Sequence, residues 1–311
     1  MSAAWEWPVN TCWPQPGLCL QCVPPVKTIH APRLRAEAKH DAGNRQLLAI
    51  VLALLLVGQP ARGAAPLPPP ESPQAELRAA KLLETALDAR HAGDQDWQKL
   101  ENIYTDLEAR YPGESAVRNS HAEFLWNKGE QRRAVDTWLA AEKLDPSDAV
   151  VLDHLGGSFL AAGDAKKAAG YFARAVESAP DNAGYHFSYA NVAFLFRHEL
   201  HDAIHPDSEA VLDEAMKQFS EAARLQPLNA EYARAFAEAF YTVSKPDWHA
   251  ALQAWQHFYE VSARKDFALL NLARVHLKLG NKTEARASLA RIQGTEYGRL
   301  KARLSEQIDS E

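Results

Sequence analysis

The chain has 311 residues, of which 47% are hydrophobic, 9% aromatic and 24% charged, enough apolar material for one sizeable or two small globular units and too much for a disordered chain. Its formal net charge is −6, and all three cysteines lie within the first 22 residues, so the rest of the chain is acidic and free of cysteine, which argues against a nucleic-acid-binding role and against a disulfide-stapled scaffold.

The N-terminal segment differs in kind from the rest. Residues 1–45 hold Cys12, Cys19 and Cys22 and prolines at 8, 14, 16, 24, 25 and 32, without helical or strand periodicity, and are read as non-globular. The apolar run QLLAIVLALLLVG, residues 46–58, follows Lys39 and Arg45 and precedes QPARGAAPLPPPESP. Thirteen residues at ~1.5 Å each reach roughly 20 Å, short of a ~30 Å hydrocarbon core, so the run fits the hydrophobic region of a signal peptide better than a membrane-spanning helix. Ala61 and Gly63 supply the small residues of a cleavage site, which predicts a mature chain starting at Ala64, and a Pro-rich linker follows over 64–74. An n-region of about 45 residues fits a start codon assigned too far upstream; on that reading Cys19 and Cys22 form no metal or redox motif. Cleavage would remove six of the 34 basic and three of the 40 acidic residues, leaving 28 against 37, a net charge of −9. The expectation is export to a periplasm, with an uncleaved signal anchor facing the periplasm as the alternative.

From residue 75 the chain repeats. Prolines fall at 112, 146 and 180, glycines at 129 and 163, and alanines at 134 and 168 and again at 141 and 175, each interval being 34 residues. Trp138 and Phe172 keep the same step. A fixed period of this length signals stacked supersecondary units, each burying its apolar face on the next.

The clearest unit is residues 149–182, AVVLDHLGGSFLAAGDAKKAAGYFARAVESAPDN. Leu155 and Gly156 form the close-packed pair of its first helix, Phe159 its aromatic, Ala168, Phe172 and Ala175 the stripe of its second, and Pro180 its stop. Residues 115–148 repeat this with Ala122, Leu125, Gly129, Ala134, Trp138, Ala141 and Pro146. Residues 266–299 repeat it with Leu272, Ala273, Gly280, Ala285, Leu289 and Ile292. Residues 77–114 keep Leu100, Tyr104, Leu107 and Pro112; residues 230–265 keep Phe236, Ala237, Phe240, Ala251 and Trp255, with SKPDW as a lengthened turn. These segments resemble tetratricopeptide repeats. The resemblance covers nearly all of residues 75–295 and implies an all-α fold, a right-handed solenoid of about six helix pairs, with EYGRLKARLSEQI as a polar capping helix within a repeat region ending near residue 305.

The remaining repeat, residues 183–229, is stretched. Ala190 and Ala215 stand 25 residues apart where the pattern has 12, so an insertion over 198–212 separates a first helix AGYHFSYANVAFLFRHEL from a second helix EAMKQFSEAARLQP. Pro206 ends the first, and Asp207 or Ser208 caps the second. The insertion carries HELHDAIHPD, with His198, His201 and His205 at i, i+3 and i+7, a spacing that on one helix would gather three imidazoles as zinc ligands. A zinc protease would need His-Glu-x-x-His, and Asp202 stands where the second histidine should be. Pro206 also disfavours helical dihedrals at His205. The favoured reading is a solvent-facing helix extension, with a non-catalytic zinc site or metal-dependent enzyme as the alternative. No phosphate loop, nucleophile motif or isolated carboxylate pair occurs elsewhere, so neither enzyme activity nor a cofactor is expected.

The resemblance implies a concave groove lined by first-helix positions. Mapped onto this chain these are Asn119, Glu123, Trp126 and Asn127; Asp153 and His154; Phe187, Asn191 and Phe194; Arg234, Glu238 and Tyr241; and Asn271 and Arg274. Aromatic, amide and arginine side chains together suit an extended peptide or partner protein. Trp126 and Tyr241, with polar neighbours, are the better surface candidates, whereas Phe187 and Phe194 serve equally well as core. Family members that clamp a C-terminal carboxylate do so with basic and amide groups. Here the corresponding positions hold Asn119, Glu123, His154 and Gly184, so an EEVD-type peptide is not expected. The function expected is that of an exported protein-protein interaction scaffold, with a signal-anchored subunit of an envelope complex as a further alternative.

Overall fold

The computed structural model describes residues 72–310 except 90, 202, 203 and 206. The cysteines, the apolar run, the cleavage site and most of the Pro-rich linker lie outside the described residues. Within them the structure is all-α, with fourteen helices and no strand. No described helix is long and apolar enough to cross a membrane.

The helices are α1 (Pro73–Ala89), α2 (Asp94–Arg110), α3 (Ser115–Asn127), α4 (Gln131–Leu144), α5 (Ala149–Ala161), α6 (Ala165–Ser178), α7 (Ala183–Leu195), α8 (Arg197–Leu200), α9 (Ser208–Leu225), α10 (Ala230–Ala239), α11 (Trp248–Val261), α12 (Lys265–Lys278), α13 (Lys282–Ala290) and α14 (Gly298–Ser310). Two compact units divide between Ala134 and Val135, one turn into α4.

The turn between paired helices shows why the glycines recur. Gly129, Gly163 and Gly280 all have φ near +80°, the left-handed region. After α3, Glu130 N–H donates to the Leu125 carbonyl at 2.9 Å and Gly129 N–H to that of Trp126 at 2.9 Å. Asp164 and Gly163 repeat this pair of bonds after α5, and Asn281 and Gly280 repeat it after α12. Each closes a helix whose last carbonyls would otherwise be orphaned. Between α1 and α2, His91 takes the glycine's place at φ 52°, while Ala92 N–H donates back to the Leu87 carbonyl at 3.0 Å. The start of the next pair is set by side chains: Asp148, Asn182 and Asn229 each accept hydrogen bonds from the first backbone N–H groups of α5, α7 and α10.

The first unit buries Leu77, Ala80, Leu83 and Leu87 of α1 with Leu100, Tyr104 and Leu107 of α2 and Val117, Ala122, Phe124 and Leu125 of α3. Tyr104 stacks on His121 at 5.6 Å and meets Phe124 at 5.3 Å.

In the second unit α5 and α6 cross so closely that a Cβ on Gly156 would lie 2.7 Å from the Phe172 ring. Gly157 has open space around it, so only the first of the two glycines serves the crossing. Further along, Trp255 and Phe258 of α11 sit within a cluster formed with Ala237, Leu269, Leu272, Ala273, Leu289 and Ile308. Ile308 comes from α14, which otherwise presents mostly exposed or half-exposed residues, as a capping helix should.

The insertion departs from the sequence expectation in two ways. The first helix breaks at Phe196, and the second starts at Ser208, capped by Asp207, whose side chain accepts from Glu209 N–H at 3.0 Å. The segment is also not simply solvent-facing. Leu200, Val211 and Leu212 are fully buried, in one cluster with Ala165, Ala168, Ala169 and Phe172, and Ile204 packs against it. Apolar side chains at these positions fold the insertion back over α6, because leaving three large aliphatics in water costs more than ordering a short loop.

Candidate functional site

The three histidines are not brought together. Four residues of α8 give one helical turn, too few to place i, i+3 and i+7 on a common face. His201 Nδ1 lies 2.8 Å from the carbonyl oxygen of His198, and His205 Nδ1 accepts from Asp207 N–H at 3.1 Å, so each ring is engaged with local backbone. Among the described residues no group of three His, Cys, Asp or Glu side chains is placed to hold a metal ion.

The first-helix residues fall into separate groups. On α3, Asn119 is buried and donates to Glu123 Oε1 at 3.0 Å, while Lys81 Nζ donates to Glu123 Oε2 at 3.0 Å. Asn127, exposed, reaches Glu84 Oε1 at 3.4 Å, and Tyr104 OH donates to the other oxygen at 3.3 Å. Burial raises the Glu84 carboxyl above its ordinary range, although both hydrogen bonds pull it down. Trp126 is half-buried. Sequence reasoning passed over Lys81 and Glu84 and took Tyr104 only as a packing residue; the three complete this network from α1 and α2.

In the second unit the His154 ring stacks on Trp138 at 4.9 Å, so it packs between helices. Phe194 is buried, edge-on to Phe219 at 5.9 Å, and belongs to the core. Phe187 stays half-exposed, with Tyr232 at 4.6 Å and Phe219 at 5.9 Å. Asn191 returns its amide to the Phe187 carbonyl at 2.9 Å. Asp153 is half-buried, and its Oδ1 is enclosed without a hydrogen-bond partner. Burial holds this carboxyl above the usual aspartate range, against the opposing pull of the His154 charge and the Ser188 hydroxyl.

A further group gathers Arg234, Glu238, Tyr241, Asn271 and Arg274. Arg234 Nη1 donates to Glu238 Oε2 at 2.6 Å, and Arg274 Nη1 to Asn271 Oδ1 at 3.1 Å, with the Arg274 guanidinium 4.4 Å from the Tyr241 ring centre. Burial outweighs the nearby arginines and leaves the Glu238 carboxyl raised. Tyr241 is less open than its polar neighbours in sequence suggest. Its ring lies against Trp248 and Trp255 at 5.8 and 6.0 Å, and its hydroxyl donates to Asn271 Oδ1 at 3.3 Å. Asn271 itself is buried and donates to the Phe267 carbonyl at 2.9 Å. The arrangement offers charged, amide and aromatic groups on a framework of packed helices; it brings no nucleophile and base together.

Residues 267–294, covering α12 and α13, match the tetratricopeptide repeat model. No curated protein is matched by this chain in sequence. Among solved structures, YrrB aligns with a TM-score of 0.52 at 17% identity, covering 65% of this chain and 97% of YrrB. PilF of Pseudomonas aeruginosa aligns with a TM-score of 0.52 at 14% identity, covering 76% of this chain and 98% of that one. At such identities the likeness is one of fold. Residues 267–294 thus form a tetratricopeptide repeat, and the helix pairs of both units share the fold of tetratricopeptide-repeat structures.

Proposed function

We propose that the protein is an exported scaffold that binds a peptide or partner protein on the face formed by its first helices, making and breaking no bond. The observation that carries this reading is the set of half-exposed aromatic, amide and charged residues on α7, α10 and α12, namely Phe187, Asn191, Arg234, Glu238 and Arg274, held by well-packed helices. Side chains on rigid elements lose little freedom on binding, so such a surface holds a ligand at low ordering cost. YrrB, described as a TPR protein with an unusual peptide-binding site, lends the reading support by analogy.

Affinity capture with the full protein from its native envelope, against an Arg234→Ala, Arg274→Ala variant shown by circular dichroism to be folded, tests the binding surface. Truncating two central contacts should weaken retention of the partner at least ~10-fold, equivalent to about 1.4 kcal/mol. Equal retention by both proteins would move binding to another surface. Export has its own readout: N-terminal sequencing of the envelope-derived protein should begin at Ala64, and a chain retaining residues 46–63 would favour the signal-anchored subunit.

A further inference from the structure

Several arginines that bridge helices in this protein end on carboxylates. Arg110 reaches Glu76, Arg174 Nη1 donates to Glu142 Oε1 at 2.5 Å, and Arg286 Nη2 donates to Asp309 Oδ1 at 2.7 Å. Between α11 and α13 the pattern changes. A step of 117 residues carries Trp138 onto Trp255, Ala168 onto Ala285, Arg174 onto Arg291 and Glu142 onto Tyr259. The arginine is kept and its carboxylate has become a phenol: Arg291 Nη2 donates to Tyr259 OH at 2.6 Å, with the guanidinium 4.9 Å from the ring centre.

Neighbouring cations are fixed in the same manner. Lys265 Nζ stands 4.6 Å from the centre of the same Tyr259 ring and donates to the carbonyls of Tyr259 and Glu260, the latter at 3.1 Å. Arg264 lies over the Phe267 ring at 4.6 Å and donates to Tyr297 OH at 3.3 Å, while Lys301 Nζ donates to the Ile292 carbonyl at 3.2 Å. Arg264, Lys265 and Arg291 are exposed. Among the described residues, no carboxylate makes an ion pair with any of these cations. Glu238, whose carboxyl feels the Arg264 charge, is bonded to Arg234; Asp266 accepts from the N–H groups of Gln293 and Gly294; and Glu296 stands by Tyr297. Arg264 and Lys265 also open α12, where the helix dipole disfavours cations and where α5, α7 and α10 are capped by Asp148, Asn182 and Asn229. Positive charge is thus oriented here without being neutralised, in a chain whose formal net charge is −6.

Rings, hydroxyls and carbonyls hold a cation in place and leave its charge unspent. A guanidinium that gives one N–H to a tyrosine keeps others for a carboxylate, which its planar fork can meet with two parallel bonds. The aromatic rings lie under the cations and pack within the fold, so the surface offers charge in preference to apolar anchors. We propose that Arg264, Lys265 and Arg291, where the end of α11, the start of α12 and the end of α13 come together, form a docking surface for an acidic segment of a partner protein, recognised through its aspartate and glutamate side chains. The surface lies outside the first-helix positions, and it rests on the scaffold reading only in taking the partner to be a protein.

The probe is a labelled, capped peptide, Gly-Glu-Glu-Gly-Glu-Glu-Gly, compared with its glutamine counterpart by fluorescence anisotropy on the full protein at about 50 mM salt, where screening is weak. The acidic peptide should bind at least ~10-fold more tightly than the glutamine one, and Arg264→Gln, Arg291→Gln should bring the two within ~2-fold of each other. Both side chains are exposed, so this variant should fold, which an unchanged circular dichroism spectrum would establish. Arg78→Gln, Arg132→Gln removes the same charge from exposed positions of the first unit and should keep the preference. Equal binding of the two peptides, or a preference lost equally in both variants, would overturn the proposal. A preference lost in Arg234→Ala, Arg274→Ala but kept in Arg264→Gln, Arg291→Gln would assign the acidic segment to the first-helix face and overturn it as well, whereas the reverse supports this surface whatever becomes of partner capture on that face. Vesicles of phosphatidylglycerol that bind the protein through Arg264 and Arg291, with no preference between the peptides, would make the surface a membrane contact instead.

Discussion

Gly156→Val is expected to destabilise the protein by about 3 kcal/mol, while Gly157→Ala, one residue away, stabilises it by up to ~1 kcal/mol. At Gly156 the added Cβ would stand 2.7 Å from Cδ1 and Cε1 of Phe172 and 3.0 Å from its Cζ. Phe172 cannot swing clear, because it is itself buried, 4% exposed, among Ala168, Ala169 and Ala190. The two helices must therefore separate, and separation loses contacts along the whole α5–α6 crossing. At Gly157 the same methyl group meets nothing, and only the helix-forming advantage of alanine over glycine remains. Urea unfolding followed by circular dichroism would measure both. Equal and opposite-to-expected shifts, with Gly156→Val harmless, would mean that the close approach is not what selects this glycine.

Trp255→Ala should cost about 3–5 kcal/mol and lower the melting temperature by roughly 10 °C. The indole is completely buried, with Phe258 and Phe267 edge-on at 5.7 Å each and Tyr241 at 6.0 Å. Removing it leaves a cavity bordered by three rings, and rings close such a gap poorly. Trp255→Phe should cost far less, about 1 kcal/mol. The indole Nε1 is buried without a hydrogen-bond partner, and phenylalanine removes that unmatched donor along with part of the volume. A phenylalanine variant as damaged as the alanine one would show that the indole nitrogen is matched in solution. Because Tyr241 leans on this ring, Trp255→Ala should also weaken partner capture, whereas Gly156→Val acts on a different pair of helices.

These two substitutions also mark how far one chain can be read without its fold. The 34-residue step of Pro112, Pro146 and Pro180 and of Gly129 and Gly163 is visible in sequence because backbone geometry admits few residues at those places. A left-handed φ favours glycine, and a helix end tolerates the proline that a helix interior does not. The same reasoning located Trp138, Phe172 and Trp255 as packing residues. It also found the insertion after α7, since a 34-residue period makes extra residues countable.

The insertion's conformation was a different matter. Helical spacing put His198, His201 and His205 on one face only on the assumption of an unbroken helix, and the chain breaks at Phe196 and again after Leu200. What decides this is the burial of Leu200, Val211 and Leu212 against Ala165, Ala168, Ala169 and Phe172 of α6, residues distant from them along the chain. Period arithmetic describes one helix at a time and contains no such term.

Repeat register, the helix ends marked by glycine and proline, and the core positions of the regular repeats were thus determined by the sequence alone, because they depend on local backbone sterics and on a periodic apolar pattern. Which first-helix groups remain available to a partner was decided by the tertiary structure. Asn119 and Asp153 occupy equivalent positions one repeat apart, yet Asn119 is satisfied by Glu123, while one oxygen of Asp153 finds no donor. Hydrogen-bond satisfaction is a property of three-dimensional neighbours, and no spacing along the chain encodes it.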